Sequence, residues 1–258
     1  MTKLSLVIPA LNEEKFLPRL LASLTKQTKQ DFEVVVVDGY SKDRTVAAAQ
    51  AFCSKLPTLN VIVSAKAGLP LQRNLGARAT NGEWLVFIDA DSVLLPYFIE
   101  RIEWFIEKQK PVIFTSWFRP DSETSGDALF TLISNSFVEG SIYFHRPIAP
   151  GPLTVVRRDV FELAGGYNES LTFGEDYDLT CRVVERGHAL QILRETLYEF
   201  SLRRVRREGK LRFVRLYATA ALRVLLTKRN LEHVPSYVMG GHLYEPKNNL
   251  AERSAVHE

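Results

Sequence analysis

Apolar runs and apolar stripes alternate along the first 110 residues of the chain. Leu4–Ile8 is a continuous apolar stretch ended by Pro9, the pattern of a strand covered on both faces. Phe16, Leu17, Leu20, Leu21 and Leu24 follow at helical spacing, with Asn12 read as the N-cap of that helix. Glu33–Val37 predicts a second strand, and Asp43 the start of a helix through Val46, Ala47, Ala49 and Phe52. Asn60–Val63 predicts a third strand and Pro70–Ala79 a helix. Glu83–Ile88 predicts a fourth strand, ending at Asp89-Ala90-Asp91, with Pro96 opening the next helix. Four such strand–helix units predict an α/β fold, a mostly parallel open sheet with helices on both faces.

The second half is less regular. Val112–Thr115, Leu153–Val156 and Ala189–Leu193 read as strands. Ala128–Val138 and Glu175–Arg186 read as helices, the latter closed by Gly187. The stretches Phe118–Gly126 and His145–Pro152 read as loops over the functional edge of the sheet. No repeat or linker divides the chain, so the reading is a catalytic domain over 1–200 and an appendage over 201–258.

Composition narrows the class. At 258 residues and 46% hydrophobic content, one large globular domain needs no covalent staples. Cys53 and Cys181 are too few for a disulfide framework or a four-cysteine zinc site, and are expected to be buried free thiols. The first apolar run meets Asn12-Glu13-Glu14 at once, and no run approaches the roughly 20 apolar residues of a membrane span. A cytoplasmic protein is expected. Its net charge of +3 is unevenly placed: residues 201–230 hold ten Lys/Arg against Glu208 alone, giving +9 there and −6 elsewhere. That asymmetry points to an anionic partner.

In an open parallel sheet, ligands bind beyond the carboxyl ends of the strands. The first strand ends without glycine, which argues against a dinucleotide fingerprint or a phosphate-cradling loop. Asp38, at the tip of the second strand, suits a base imide or ribose hydroxyl, or else caps a turn. Asp89 and Asp91, flanking Ala90, are hard oxygen ligands placed to hold Mg²⁺ or Mn²⁺. Gly174-Glu175-Asp176-Tyr177-Asp178 puts three acids at a helix start, where they complement the helix dipole or supply a general base.

Five of these segments, in order, resemble the family 2 inverting glycosyltransferases of GT-A fold. They are Val7–Glu14, Val37–Thr45, Gly68–Gly76, Phe87–Ser92 with its Asp-Ala-Asp, and Val156–Asp159 with Gly165–Glu169 and Gly174-Glu175-Asp176. The likeness runs from about residue 4 to 200 and is nearest to non-processive, dolichol-phosphate-mannose-synthase-like members. It lacks the glutamine-rich RW signature of the polymer-forming ones. The resemblance implies that Pro9, Ala10 and Glu14 line a nucleotide pocket, that Asp38 binds the base, and that Arg73 contacts base or diphosphate. It further implies that Asp89 serves nucleotide and donor sugar, with Ala90 and Glu175 beside the sugar. Asp91 would hold Mg²⁺ or Mn²⁺, and Asp176 would be the catalytic base. The donor would be a UDP- or GDP-linked sugar.

Two other readings use the same residues. Leu85–Val93 also resembles the aspartate-nucleophile segment of haloacid-dehalogenase-like phosphatases, with Asp89 attacking, although that fold begins at its nucleophile strand. A non-catalytic nucleotide-sugar module is the third reading.

The basic segment is itself patterned. Arg203, Arg204, Arg206, Arg207 and Lys210 precede a helix pattern over 210–227 with a wide apolar surface and a narrow arginine stripe. This suits peripheral attachment to an anionic membrane, beside a lipid-linked acceptor. A helix docked on the catalytic domain, or arginines clamping a phosphate, fit the same pattern. No nucleic-acid motif accompanies the charge. His242, in Met239–Tyr244, reads either as a third metal ligand or as a structural residue.

Overall fold

The computed structural model describes residues 4–143, 147, 149 and 151–209. Its first half runs β1 (Leu4–Ala10), α1 (Leu17–Leu24), β2 (Phe32–Asp38), α2 (Thr45–Gln50), β3 (Leu59–Val63), α3 (Leu69–Arg78), β4 (Trp84–Ile88), β5 (Val93–Leu94) and α4 (Phe98–Gln109). The rest is β6 (Ile113–Pro120), α5 (Ser125–Tyr143), β7 (Leu153–Arg157), α6 (Arg158–Leu163), α7 (Glu175–Val184), β8 (Leu190–Phe200) and α8 (Arg203–Glu208). The eight strands form one sheet in the order β3-β2-β1-β4-β7-β6-β8-β5. β1 to β4 pair in parallel, as the sequence predicts. β7 enters antiparallel between β4 and β6, β6 and β8 are parallel, and β5 closes the edge antiparallel to β8.

Every residue of β1 and β4 is buried. Alternation divides them between two cores. Leu4, Leu6 and Ile8 join Leu20, Leu24, Phe98 and Ile102 on one face. Val7, Val35 and Val37 pack with Ala77, Val160 and Leu179 on the other. Each such side chain contributes about 1.5–3 kcal/mol on burial. α3 approaches the second face most closely at Gly76, where a Cβ would strike the Val7 side chain and lie 3.2 Å from the methyls of Val35 and Val37. That close approach sets how deeply the preceding turn, Gln72–Asn74, reaches into the strand ends.

Several boundaries differ from the sequence reading for local reasons. Asn12 is not a helix cap: its φ is 55°, its Oδ1 accepts from the Lys42 amide at 2.7 Å, and α1 starts only at Leu17. Asp43 precedes α2 by two residues, its Oδ1 accepting from the Thr45 amide at 3.0 Å. α4 likewise begins two residues after Pro96. Residues 118–120, expected in a loop, extend β6 because β8 continues to Phe200 and supplies Tyr198, Glu199 and Phe200 as partners. α5 is longer than predicted at both ends, and β5 and α6 are additions. The thiols are not buried: Cys53 is exposed and Cys181 half-buried.

α8 packs on the catalytic body rather than leaving it. Leu202 and Val205 are buried, and Arg206 pairs with Asp121 at 2.7 Å and with Asp127, on the first turn of α5, at 3.0 Å. Along α5, Leu129, Leu132, Ile133 and Phe137 are each more than half exposed. Their spacing makes one apolar stripe. Among the described residues no helix is long and apolar enough to cross a membrane. Lys210, the helix pattern over 210–227, His242 and His145 lie outside the described residues.

Candidate active site

The ends of β1 and β2 form one side of the site. Ala10 and Asp38 are register partners, and Pro9 and Ala10 are buried. Gln72 Nε2 donates to the carbonyls of Ala10 and Val37 at 2.9 and 2.8 Å, tying α3 to both strand ends. Asp38 is only 1% exposed; its Oδ2 accepts from the Ser41 amide at 2.9 Å, while its Oδ1 is buried without a donor. An unpaired buried acceptor is costly, so this oxygen is a ready partner for a ligand N–H or O–H. Tyr40 stands beside it in a left-handed conformation, exposed, with the Lys42 ammonium 3.6 Å from its ring centre. Glu14 braces the same loop, accepting from the Arg44 amide at 2.9 Å.

The next residue of α3, Arg73, is completely buried and gathers the second side. Its Nη1 donates to Asp176 Oδ1 at 2.6 Å and to Glu175 Oε1 at 3.1 Å. Nη2 donates to the Gly151 carbonyl at 2.9 Å and to Asp89 Oδ1 at 3.2 Å, and the guanidinium lies 5.0 Å from the Tyr167 ring centre. Thus one side chain of α3 holds the end of β4, the start of α7 and the segment before β7. At Gly151 a Cβ would sit 2.8 Å from Asp176 Oδ2, so a side chain there would displace that carboxylate. Asn74, the next residue, grips the turn before α7: its Oδ1 accepts from the Tyr167 amide and its Nδ2 donates to the Tyr167 carbonyl.

A second arginine completes the edge. Arg203, from α8, bonds Glu13, lies 3.2 Å from Asp91 Oδ2, and stacks 4.1 Å from the Phe16 ring centre. Glu13 escapes the sequence reading, which selects Glu14; that reading has Arg203 meeting either membrane or phosphate, and here it stands at the acidic edge. The asymmetric charge of residues 201–230 is the signal that pointed at Arg203. Arg204 is half-buried and Arg207 exposed.

The electrostatics follow from burial of like charges. Five carboxylates (Glu13, Asp89, Asp91, Glu175 and Asp176) face two guanidiniums, leaving three negative charges uncompensated. Burial pushes the Asp89 carboxyl up to about 6; Arg73 opposes this, and Asp91 and Glu175 add to it. Burial raises Asp91 to about 6 as well, with Arg203 pulling down and Glu13 pushing up. Asp176 is held well above the ordinary range by burial, which with Glu175 and Asp89 outweighs Arg73. Among the described residues no three metal-ligating side chains converge. Even so, two hard carboxylates and surplus negative charge fit Mg²⁺ or Mn²⁺, which is commonly held by one or two carboxylates with phosphate oxygens completing the shell.

Comparisons with known proteins agree with this geometry. The chain is 29% identical over 187 residues to an uncharacterized glycosyltransferase of Haemophilus influenzae, covering 70% of this chain and 62% of that relative. It is 30% identical over 186 residues to the PGL/p-HBAD biosynthesis glycosyltransferase of Mycobacterium tuberculosis, covering 69% and 68%. Among solved structures, Staphylococcus aureus TarS 1–349 in complex with UDP-GlcNAc superposes with a TM-score of 0.66 at 22% identity, over 77% of this chain and 58% of that one. The mannosyltransferase PcManGT from Pyrobaculum calidifontis, in complex with GDP-Man and Mn²⁺, gives 0.61 at 20% identity, over 77% and 56%. These matches make the fold GT-A. No support accrues to the phosphatase reading, in which Asp89 would open the fold rather than follow three strand–helix units. The glycosyl transferase family 2 profile matches residues 5–164, and the chain belongs to that family.

Proposed function

We propose that the protein transfers one sugar from a UDP- or GDP-linked donor to a hydroxyl or phosphate acceptor, with inversion at the anomeric carbon. The observation that carries this reading is a single edge on which Asp38, Asp89, Asp91 and Asp176 stand, with Gln72 tying the strand ends at Asp38, Arg73 holding Asp89 and Asp176, and Arg203 at Asp91. The unpaired Asp38 Oδ1 accepts from the base, within a pocket lined by Pro9, Ala10 and the Glu14 loop. Asp89 meets the donor's sugar and diphosphate, with Ala90 and Glu175 bounding the sugar. Asp91 would hold Mg²⁺ or Mn²⁺, which supplies charge neutralisation for the departing diphosphate. Asp176, at the start of α7 beside Asp89 and with its carboxyl raised above the ordinary range by burial, takes the acceptor proton as the acceptor oxygen attacks C1. The C1–O bond to the diphosphate breaks on the opposite face, and its electron pair leaves with the nucleotide.

The acceptor on this reading is lipid-linked or a cell-envelope glycan precursor, met at the cytoplasmic face of the cell membrane. Supporting it are the +9 charge of residues 201–230 and the apolar stripe of α5, whose first turn is tied to α8 through Arg206. Vesicle sedimentation tests this arm. Wild type should bind vesicles containing anionic lipid and release partly at high salt, and Leu132→Asp with Phe137→Asp should bind less. Indifference of wild type to such vesicles overturns it. The donor arm is tested by thermal shift: UDP or GDP at 100 times its Kd, with Mn²⁺, should stabilise the protein by about 2.7 kcal/mol. No shift with either nucleotide overturns the donor assignment.

A further inference from the structure

The guanidinium of Arg203 reaches the acidic edge from α8, beyond the last strand, and its bonding is incomplete. Nη1 is buried without an acceptor, although Nη2 serves both Glu13 and Asp91. The facing Glu13 Oε2 is buried without a donor. Arg73 also leaves one buried nitrogen, Nε, without an acceptor, but spends both terminal nitrogens on four acceptors.

The backbone beneath Arg203 is anchored independently. Arg206, one turn on, holds Asp121 at 2.7 and 2.8 Å and Asp127 at 3.0 Å, and the Leu202 amide donates to Asp121 Oδ1 at 3.1 Å. With α8 held in this way, the Arg203 side chain can exchange partners without the helix moving. It already touches Asp91, the carboxylate assigned above to the cation, and a divalent ion beside a guanidinium at that oxygen would be strongly repelled. Guanidinium groups are also suited to phosphate oxygens, through paired N–H donors.

We propose that Arg203 is an exchangeable counter-ion: in the free protein it neutralises Asp91 and Glu13, and on donor binding it transfers to the diphosphate and cedes Asp91 to the cation. The inference rests on the assignment of Asp91 as cation ligand and adds to it a coupling. Nucleotide draws Arg203 away and so raises affinity for the cation, and the cation, by linkage, raises affinity for nucleotide to the same extent. Arg203 is therefore a positioning residue whose removal has opposite effects on the two ligands.

Calorimetry on the full chain reads both. With Mn²⁺ alone, Arg203→Gln should bind the ion about 10-fold more tightly than wild type, within the usual 5–150-fold range of such couplings. With UDP or GDP in chelator, the same variant should bind the nucleotide about 10-fold more weakly. Arg203→Lys keeps the charge but lacks the fork, so it should shift both affinities in the same directions by less. It carries the test if Arg203→Gln does not fold. Unchanged or weaker Mn²⁺ binding in a folded Arg203 variant overturns the exchange while leaving the cation site intact. Failure of wild type to bind Mn²⁺ with or without nucleotide overturns the cation assignment itself, and the exchange with it.

Discussion

Two arginines organise the same edge in different ways. Arg73 comes from the middle of α3, is fully buried, and reaches four acceptors on three separate segments. Arg203 comes from a short helix after the last strand, keeps 12% of its side chain exposed, and leaves Nη1 unmatched. A fully buried guanidinium that serves four acceptors is a fixed strut, because any movement strands several charges at once. A partly satisfied one beside an excess of carboxylates has little to hold it once an anion arrives. The contrast teaches that, at this edge, depth of burial and the number of acceptors held separate scaffold from exchangeable part, although residue type and local charge are the same.

The comparison is broken most severely at Arg73. Arg73→Met leaves Asp89, Glu175 and Asp176 clustered without their shared cation and should cost about 3–5 kcal/mol of stability, read as a lowered midpoint in denaturant. Arg203→Gln should cost only about 1.5 kcal/mol in the same assay. Equal losses would erase the distinction. Next in size is the reacting group itself: Asp176→Asn should lower turnover by about 10²–10⁴ with nucleotide affinity nearly unchanged, measured by sugar release from donor with acceptor extract. Full turnover in that variant would remove Asp176 from the base role.

A smaller effect follows from pH. Asp89 and Asp91 titrate near 6 in the folded chain against an ordinary value of 3.8, so between these values the native state binds more protons than the unfolded one. Stability then falls as pH rises through this window. In chelator, the melting temperature should therefore be higher at pH 5.5 than at pH 7.5. A flat or opposite profile would mean that the surplus negative charge is screened. The smallest expected change is at the anchor of α8: Arg206→Gln breaks a half-exposed pair network and should cost about 1 kcal/mol or less. Calorimetry should show nucleotide binding preserved.

The parallel half of the fold was legible because β1, β2 and β4 are continuous apolar runs separated by helical stripes, and burial on both faces leaves no other assignment for them. Of β8 only the start, Ala189–Leu193, was legible, because Arg194, Glu195 and Glu199 interrupt the rest; these pair with Glu139, Arg101 and Arg119, which pattern alone does not show. The acids at the strand ends were visible as residues, but their partners depend on backbone geometry. Reading Asn12 as a helix cap put Glu13 and Glu14 on a first helical turn together. The left-handed Asn12 instead sends Glu13 inward to Arg203 and leaves Glu14 on the Arg44 amide. Arg73 was placed in the pocket by its motif, yet its role as the common partner of Asp89, Glu175 and Asp176 needed segments up to 103 positions apart to meet.

On the proposed function, nucleotide and cation share this one edge, with Asp91 on the cation and Asp176 reserved for the acceptor. Mn²⁺ binding followed by electron paramagnetic resonance while UDP or GDP is added tests it most directly. One of the nucleotides should sharply increase bound Mn²⁺ in wild type and in Asp176→Asn, and Asp91→Asn should abolish the increase. Nucleotide that leaves bound Mn²⁺ unchanged in wild type, or an increase that survives in Asp91→Asn, would contradict it.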